Sequence, residues 1–324
     1  MKRKIALVCA AAMALSLAAC GNTASTTSES TASESTASES TASESSSATS
    51  EAAGEEAAAS DFDNTQAITV ITREEGSGTR GAFIELTGVE EKNDAGEKVD
   101  NTTPGAATQN STNGVMTTVA NDETAIGYIS LGSLNDTVKA VTVGGVAASA
   151  DTVKDGTYTL ARPFNIVTNG DATDPVAVDF INFCMSADGQ AIATEDGYIG
   201  ADGAAAFEGT QPSGSITVGG SSSVSPLMEK LIEAYEGVNP NASLELLTTD
   251  STVGVSGALD GTYTIGMASR ELKDSEVESG AKATVLALDG IAVVVNPANP
   301  IEDLTTDQIK SIYTGETTTW DAIQ

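Results

Sequence analysis

From about residue 61 onward, short runs of β-branched and aliphatic residues alternate with stretches whose apolar residues recur every three or four positions. The first pattern predicts strands and the second predicts amphipathic helices. The predicted strands are residues 68–72, 125–130, 140–143, 164–167, 216–218, 244–247, 264–268 and 291–295. The predicted helices are residues 80–86, 113–120, 176–186, 189–196, 226–235, 254–260 and 306–314. Such alternation is typical of an α/β fold.

The segment SPLMEKLIEAYEG shows the helical pattern most clearly. Leu227, Leu231 and Tyr235 fall on one face of a helix. Pro226 suits the first turn, because an N–H there would lack an intrahelical partner, and Gly237 stands where a C-terminal cap is common.

The first 60 residues follow neither pattern. Residues 2–4 are basic, residues 5–18 are apolar, and small residues precede Cys20. This layout predicts a signal peptide over residues 1–19 and resembles the lipobox of bacterial lipoproteins, which are cleaved before a cysteine that is then lipidated, here Cys20. The alternative is an ordinary signal peptide with a chance cysteine. Residues 20–60 contain mainly Ser, Thr, Ala and Glu, so we expect a disordered linker after the lipidated cysteine.

Cysteine and histidine usage narrows the possible functions. The chain has three cysteines and no histidine. Cys9 lies in the predicted signal peptide and Cys20 is the predicted lipid anchor, so the mature body has no cysteine pair, and Cys184 in VAVDFINFCMS is expected to be a buried structural thiol. Without histidine there is no Ser-His-Asp or Cys-His triad and no His-ligated metal site. The net charge of −31 argues against nucleic acid and anionic membrane surfaces as partners.

Three places share the order strand, Gly/Ser loop, helix: the loops at residues 73–79, 219–225 and 248–254. A helix N-terminus offers unpaired N–H groups and a partial positive charge, and glycine lets a ligand approach the backbone. Each loop alone is more often a simple N-cap. Together they predict an anion site whose donors are helix dipoles and one or two arginines. Such a site is compatible with an acidic chain, because the local field and not the net charge decides what binds there.

Six segments resemble the PstS-type phosphate-binding lipoproteins of ABC importers, particularly the form found in Gram-positive bacteria. The segments are GGSSSVSPLMEKLIEAYEGVNP, GTYTIGMASRELKDSE, IAVVVNPANPIEDLTTDQIKSIYTGETTTWDAI, ITVITREEGSGTRGAF, AIGYISLGSL, and DGTYTLARPFNIVTN followed by FINFCMSADGQAIATEDGYI. They cover nearly the whole body, and the Arg-Glu-x-Gly-Ser-Gly-Thr-Arg block is specific.

The order of these segments departs from the family pattern. Residues 68–207, which resemble the second half of the family chain, come before residues 216–324, which resemble the first half. The sequence therefore looks circularly permuted, with the junction near residues 208–215, and Gln324 is expected close to residues 64–67. Exchange of halves between two chains is the alternative.

The resemblance implies a type II periplasmic-binding-protein fold, with two α/β lobes, mixed sheets flanked by helices, and a ligand cleft at the hinge. In the permuted order, residues 61–160 plus 292–324 would form a discontinuous lobe A. Residues 161–291 would form a continuous lobe B.

The resemblance also implies the ligand residues. Arg73 matches the arginine that pairs with phosphate. Ser269 stands where many family members have an aspartate that accepts the proton of phosphate, so Glu75 is the expected substitute from the other lobe. The alternative to a ligand-binding role for Arg73 is a surface salt bridge to Glu74 or Glu75. The remaining donors implied are Ser77, Gly78, Thr79, Ser222, Ser223 and Ser251.

The sequence and the resemblance together predict one function, and three alternatives to it are considered. The chain is expected to capture inorganic phosphate and deliver it to an ABC permease, without catalysis, cofactor or metal. It is expected on the extracytoplasmic face of the cell membrane, as a monomer that touches the membrane only through its lipid anchor. The alternatives are a binding protein for another oxyanion such as sulfate or molybdate, a non-transporting phosphate sensor, and an enzyme acting on phosphate esters.

Overall fold

The computed structural model describes residues 62–323, which contain thirteen strands and nine α-helices. The strands are β1 (Thr69–Arg73), β2 (Glu90–Lys92), β3 (Lys98–Asp100), β4 (Ala107–Gln109), β5 (Ala125–Ser130), β6 (Lys139–Ala140), β7 (Thr142–Val143), β8 (Ala161–Asn169), β9 (Gly214–Ser221), β10 (Ala242–Thr249), β11 (Ile265–Ala268), β12 (Ala281–Val295) and β13 (Asp303–Leu304). The helices are α1 (Gly78–Thr87), α2 (Thr112–Ala120), α3 (Ala150–Lys154), α4 (Pro175–Cys184), α5 (Ala187–Glu195), α6 (Ser225–Val238), α7 (Ser251–Asp260), α8 (Asp274–Glu278) and α9 (Thr306–Thr314).

Strand β12 connects the two halves of a nine-stranded mixed sheet, in which eight strands have the order β10-β9-β11-β8-β12-β5-β1-β4 and the ninth, β6, pairs with β12 beside this path. The first part of β12 pairs antiparallel with β8, as far as Gly290 opposite Ala161. From Ile291 onward it pairs antiparallel with β5, and its end also pairs with β6. The chain therefore changes strand partner between Gly290 and Ile291.

Both halves of the sheet contain parallel strand pairs. Strand β9 lies between β10 and β11 and runs parallel to both, while β1 runs parallel to β4 and β5. Helices follow β1, β9 and β10 directly, so the N-termini of α1, α6 and α7 lie at the carboxyl ends of parallel strands. In open α/β sheets this edge is where ligands bind.

Hydrophobic packing follows the same division. One core gathers residues between Phe164 and Ala287, and includes the inner face of α6 with Leu231 and Tyr235. A second gathers residues from Val70 to Leu160 together with residues from Ile291 to Trp320. Helix α6 contributes through the face predicted from its sequence, so the sequence pattern and the packing agree there.

The predicted elements are present except that the single strand predicted at residues 140–143 is two short strands, β6 and β7, which pair with β12 and β13, and the main difference in extent is β12. Only residues 291–295 were predicted as a strand, whereas β12 begins at Ala281. Residues 281–290 include Lys282, Thr284 and Asp289, which interrupt the apolar pattern, and it is pairing with β8 that fixes them as a strand. Cys184 is fully buried in the first core, and burial raises the pKa of its thiol.

The segment that begins the described chain lies against the segment that ends it. The amide of Ile68 donates to the carbonyl of Thr318 at 2.8 Å, and the amide of Asp321 donates to the carbonyl of Asn64 at 2.8 Å. Circular permutation requires such proximity.

Several segments predicted from sequence lie outside the described residues, namely Gln324, the signal at 1–19, Cys20 and the linker to residue 60. Within residues 62–323 no helix is both long and apolar enough to cross a bilayer.

Leu231→Ala tests the role of α6 in the first core. Leu231 is fully buried, so its truncation leaves a cavity and should lower the free energy of unfolding by about 2–5 kcal/mol. The matched control is Val238→Ala in the same helix, at a side chain that is 45% exposed, which should cost within about 0.5 kcal/mol. Urea unfolding measures both, and equal losses would contradict the packing described here.

Candidate anion-binding site

Four helix N-termini converge where the two halves of the sheet meet. The three predicted from sequence are those of α1, α6 and α7. Ser77 caps α1 by accepting from the amide of Arg80, and Asp250 caps α7 by accepting from the amide of Val253. The fourth belongs to α2, whose first residue, Thr112, hydrogen bonds to Ser223. Their partial positive charges face one small region.

Arg73 is the buried cation of this region, at the end of β1. Its side chain is 2% exposed and forms an ion pair with Glu74, through Nε at 2.8 Å and Nη2 at 2.6 Å. The same Nη2 donates to the Ser222 hydroxyl at 3.1 Å, whereas Nη1 is buried and has no hydrogen-bond partner within residues 62–323. A buried donor without a partner is costly unless something else accepts from it.

Tyr128 fixes the backbone at this point. Its hydroxyl accepts from the amide of Arg73 at 3.1 Å and hydrogen bonds to Thr72 at 2.8 Å. Burial raises the pKa of this hydroxyl, so the phenol stays neutral. The ring stacks on Phe83 of α1 with centroids 3.9 Å apart, so the arginine is held by both the strand and the helix that follows it.

Hydroxyl groups bridge the two halves of the sheet. The Ser223 hydroxyl lies 2.9 Å from that of Thr79 and 3.2 Å from that of Thr112. All three side chains are at least 95% buried. With the contact between Arg73 and Ser222, these are direct links between the loops after β1 and β4 and the loop after β9.

Ser269 belongs to a buried cluster of serines behind this bridge. Its hydroxyl accepts from Ser221 at 2.9 Å and lies 3.4 Å from that of Ser251, and its amide donates to Ser251 at 3.0 Å. A hydroxyl can donate or accept, so this cluster adapts to an oxyanion but cannot act as a permanent acceptor, as the aspartate found in many family members could.

Two glycines make the close approach possible. A Cβ on Gly78 would lie 2.3 Å from Oγ of Ser251, and one on Gly76 would lie 2.4 Å from Oδ1 of Asp250. The carbonyl of Gly76 accepts from both the amide and the hydroxyl of Thr252, at 3.2 and 3.1 Å. The loop after β1 thus packs directly on the start of α7, which a side chain at either glycine would prevent.

The structure brings together most of the residues predicted from sequence, and Glu75 is the exception. Its side chain is exposed and forms no ion pair within the described chain, while Glu74 pairs with Arg73. The residues gathered as predicted are Arg73, Ser77, Gly78, Thr79, Ser222, Ser223, Ser251 and Ser269. Thr112 and Ser221 belong to the site although they were not predicted from sequence, and Glu74 forms the ion pair that was named as the alternative role of Arg73, with the arginine buried and not on the surface. For Thr112 the available signal was the NSTNG segment, another Ser-capped helix start.

Within residues 62–323 no group of three acidic or cysteine side chains is arranged to hold a metal ion. The gathered groups include the Arg73 guanidinium, the Glu74 carboxylate paired with it, the Asp250 carboxylate that caps α7, hydroxyls and backbone amides. Such a set can bind an anion through charge-assisted and neutral hydrogen bonds.

Comparisons with known proteins agree with this geometry. The chain matches a family model described as a PBP superfamily domain over residues 56–188 and 205–323. It is 51% identical to "Phosphate-binding protein PstS 2" of Streptococcus agalactiae over 253 residues, which cover 78% of this chain and 86% of that protein. This chain belongs to the PstS family. The protein of the same name from Streptococcus pneumoniae is 45% identical over 267 residues, covering 82% of this chain and 91% of its own length.

A solved PstS structure matches the fold. It is a phosphate ABC transporter phosphate-binding protein from Streptococcus pneumoniae, with a TM-score of 0.64 and 44% identity, and the match covers 80% of this chain and all of that one. The predicted α/β binding-protein fold and the predicted family are thereby confirmed.

The comparisons do not confirm the circular permutation. The match to the Streptococcus agalactiae protein spans 253 residues, longer than either half of this chain, so both halves align in a single match. This PstS relative therefore has its segments in the same order. Permutation relative to other members of the family stays a prediction.

Gly78→Ala tests the contact between the loop after β1 and α7. The added Cβ cannot fit beside Ser251, so the loop must move and the hydrogen bond from the amide of Thr252 to Gly76 should be lost. We expect that amide to exchange at least about tenfold faster, measured by NMR hydrogen exchange. Gly81→Ala is the control, because its Cβ would meet only Cδ of Arg270 at 3.7 Å. Unchanged exchange in Gly78→Ala would refute the contact.

Proposed function

We propose that this protein is an extracytoplasmic solute-binding protein that captures inorganic phosphate and delivers it to an ABC import permease. One observation carries the proposal: Arg73 is buried, its Nη1 lacks a partner within the described chain, and it lies among hydroxyls from both halves of the sheet. A tetrahedral oxyanion presents four oxygens, so it can accept from several of these donors at once. The names of the PstS relatives support phosphate as that anion.

The two halves are proposed as the lobes of a closing protein, with the bounds predicted from sequence, lobe A at residues 61–160 plus 292–324 and lobe B at residues 161–291, moved by one residue so that Ile291, which pairs with β5 and packs in the second core, belongs to lobe A. Support comes from the separate hydrophobic cores and from the partner change of β12 between Gly290 and Ile291. Ligand donors come from both lobes, so binding favours the form in which the lobes are together. That form is what a permease could recognise.

We further propose Glu74 as the acceptor that separates phosphate from sulfate. Phosphate at neutral pH still carries a proton that it can donate, and sulfate does not, so a fixed carboxylate beside the anion favours phosphate. Glu74 is the carboxylate that contacts Arg73, whereas Glu75, which was predicted as the substitute for the aspartate that Ser269 replaces, is exposed.

Another oxyanion such as sulfate or molybdate remains the competing ligand, because Ser269 offers a hydroxyl where a carboxylate would discriminate more strongly.

Catalysis is not proposed. Without histidine in the sequence, and without a metal-binding cluster in residues 62–323, phosphate-ester chemistry would lack an evident base or metal. Lipidation at Cys20 and attachment to the outer face of the membrane complete the proposal, on the sequence pattern of residues 1–60.

Arg73→Ala tests the proposed ligand. Removal of a buried charge-assisted contact should weaken phosphate binding by about 3 kcal/mol or more, on the order of a hundredfold, in calorimetric titration of the body from residue 61 onward. Arg73→Lys is the matched variant, which keeps the charge but loses the fork geometry and should retain part of the affinity. Absence of phosphate binding by the folded wild-type body, with binding of sulfate or molybdate instead, would reassign the ligand.

Glu74→Gln tests the selectivity. The amide keeps the shape but can also donate, so the advantage of phosphate over sulfate in competition titrations should fall by about tenfold. Glu75→Gln is the matched control at the neighbouring exposed position and should leave that ratio unchanged. A larger effect of Glu75→Gln would return the acceptor role to Glu75.

A further inference from the structure

A buried ion pair lies directly behind the proposed site, where β12 changes partner. Arg162 of β8 and Asp289 of β12 face each other in register, and both side chains are at least 99% buried. Nε and Nη2 of Arg162 donate to Oδ2 of Asp289 at 3.2 and 3.0 Å. The other carboxylate oxygen accepts from the hydroxyl of Ser130, the last residue of β5, at 2.9 Å.

The pair is oriented with its positive end toward the site. Nη1 of Arg162 points away from Asp289 and donates to the carbonyl of Ser269 at 3.2 Å. Arg162 and Arg73 are close enough for their charges to repel, one of the effects that lower the pKa of Arg162, after burial as the main cause. The negative end is held on the opposite side, by Ser130.

Stability alone is a poor explanation for this arrangement. Two charges buried together lose their hydration, and their attraction commonly does no more than offset that loss. An apolar pair of similar volume would pack as well, beside the Phe164 ring that lies 5.4 Å below the Arg162 guanidinium. What an apolar pair could not supply is a donor to the Ser269 carbonyl or an electric field directed at the site.

We propose that Arg162 is a positioning residue for the bound anion. It holds the Ser269 carbonyl, which orients the Ser269, Ser251 and Ser221 cluster, and it directs positive potential at the anion, while Asp289 limits that potential. This inference rests on the proposed anion-binding function.

The inference predicts opposite effects from the two halves of one ion pair. Arg162→Gln removes the positive charge and the donor to Ser269, while burial raises the pKa of Asp289 and favours its neutral form, so phosphate binding should weaken by about tenfold or more. Asp289→Asn leaves Arg162 charged and uncompensated, so phosphate binding should tighten, by a factor on the order of three to ten. The asparagine can still accept from Arg162 through its carbonyl oxygen, and its amide can donate to the Ser130 hydroxyl.

The experiment is calorimetric titration of phosphate into wild-type protein and both variants, with thermal unfolding of each. Asp179→Asn is the matched control, since it neutralises another buried carboxylate, bonded to Tyr235 and Thr210 in the first core, with no contact to the site. It should lower the melting temperature and leave the phosphate affinity unchanged. A merely structural ion pair would lower stability in both test variants and shift their affinities in the same direction.

Each outcome decides the inference. Weaker binding by Arg162→Gln with tighter binding by Asp289→Asn supports it, and shifts of the same sign, or none, overturn it. If Arg162→Gln does not fold, Asp289→Asn decides alone, since unchanged or weaker binding there contradicts the inference. Failure of the wild-type protein to bind phosphate would instead refute the proposed function, so the two failures are distinguishable.

Discussion

Strand β12 is the element on which the rest of the structure depends. Its fifteen residues pair first with β8 and then with β5, so one continuous backbone belongs to both halves of the sheet. Each half packs its own hydrophobic core. Because the strand crosses between them within one peptide, Gly290 to Ile291, the carboxyl ends of β1, β9 and β10 are brought together, and with them the helix starts that form the candidate site.

An anion site in a chain of net charge −31 follows from short-range effects. Exposed charges more than about 8–10 Å away are largely screened by salt, whereas helix dipoles and a buried guanidinium act at contact distance. Arg73 is 2% exposed, and Glu74, its one carboxylate partner within residues 62–323, occupies one edge of the fork. Local geometry therefore decides what binds, and the acidic surface contributes little to that choice.

The sequence predicted elements best where local signals and packing agree. The bounds of β5 and α9 were predicted as observed. For α9 the reason is visible in its caps, since Thr305 and Gln308 form a capping box and Gly315 adopts the left-handed conformation. The first ten residues of β12 were not predicted as a strand, because pairing with β8 overrides a polar sequence there.

The sequence could not distinguish Glu74 from Glu75 as the partner of Arg73, since the turn geometry after β1 decides which of the two faces the arginine.

The two halves of the sheet contribute chemically different groups to the candidate site. The half that carries Ser222, Ser251 and Ser269 presents hydroxyls, each able to donate or accept, so it fits an oxyanion whether or not that anion carries a proton. The end of β1 and the residue after it carry the fixed cation and the fixed carboxylate side by side, as Arg73 and Glu74. A fixed acceptor is what penalises an anion without a proton, because two negative groups then face each other without a hydrogen bond. Affinity can thus draw on both halves, whereas the proposed discrimination rests on Glu74 alone.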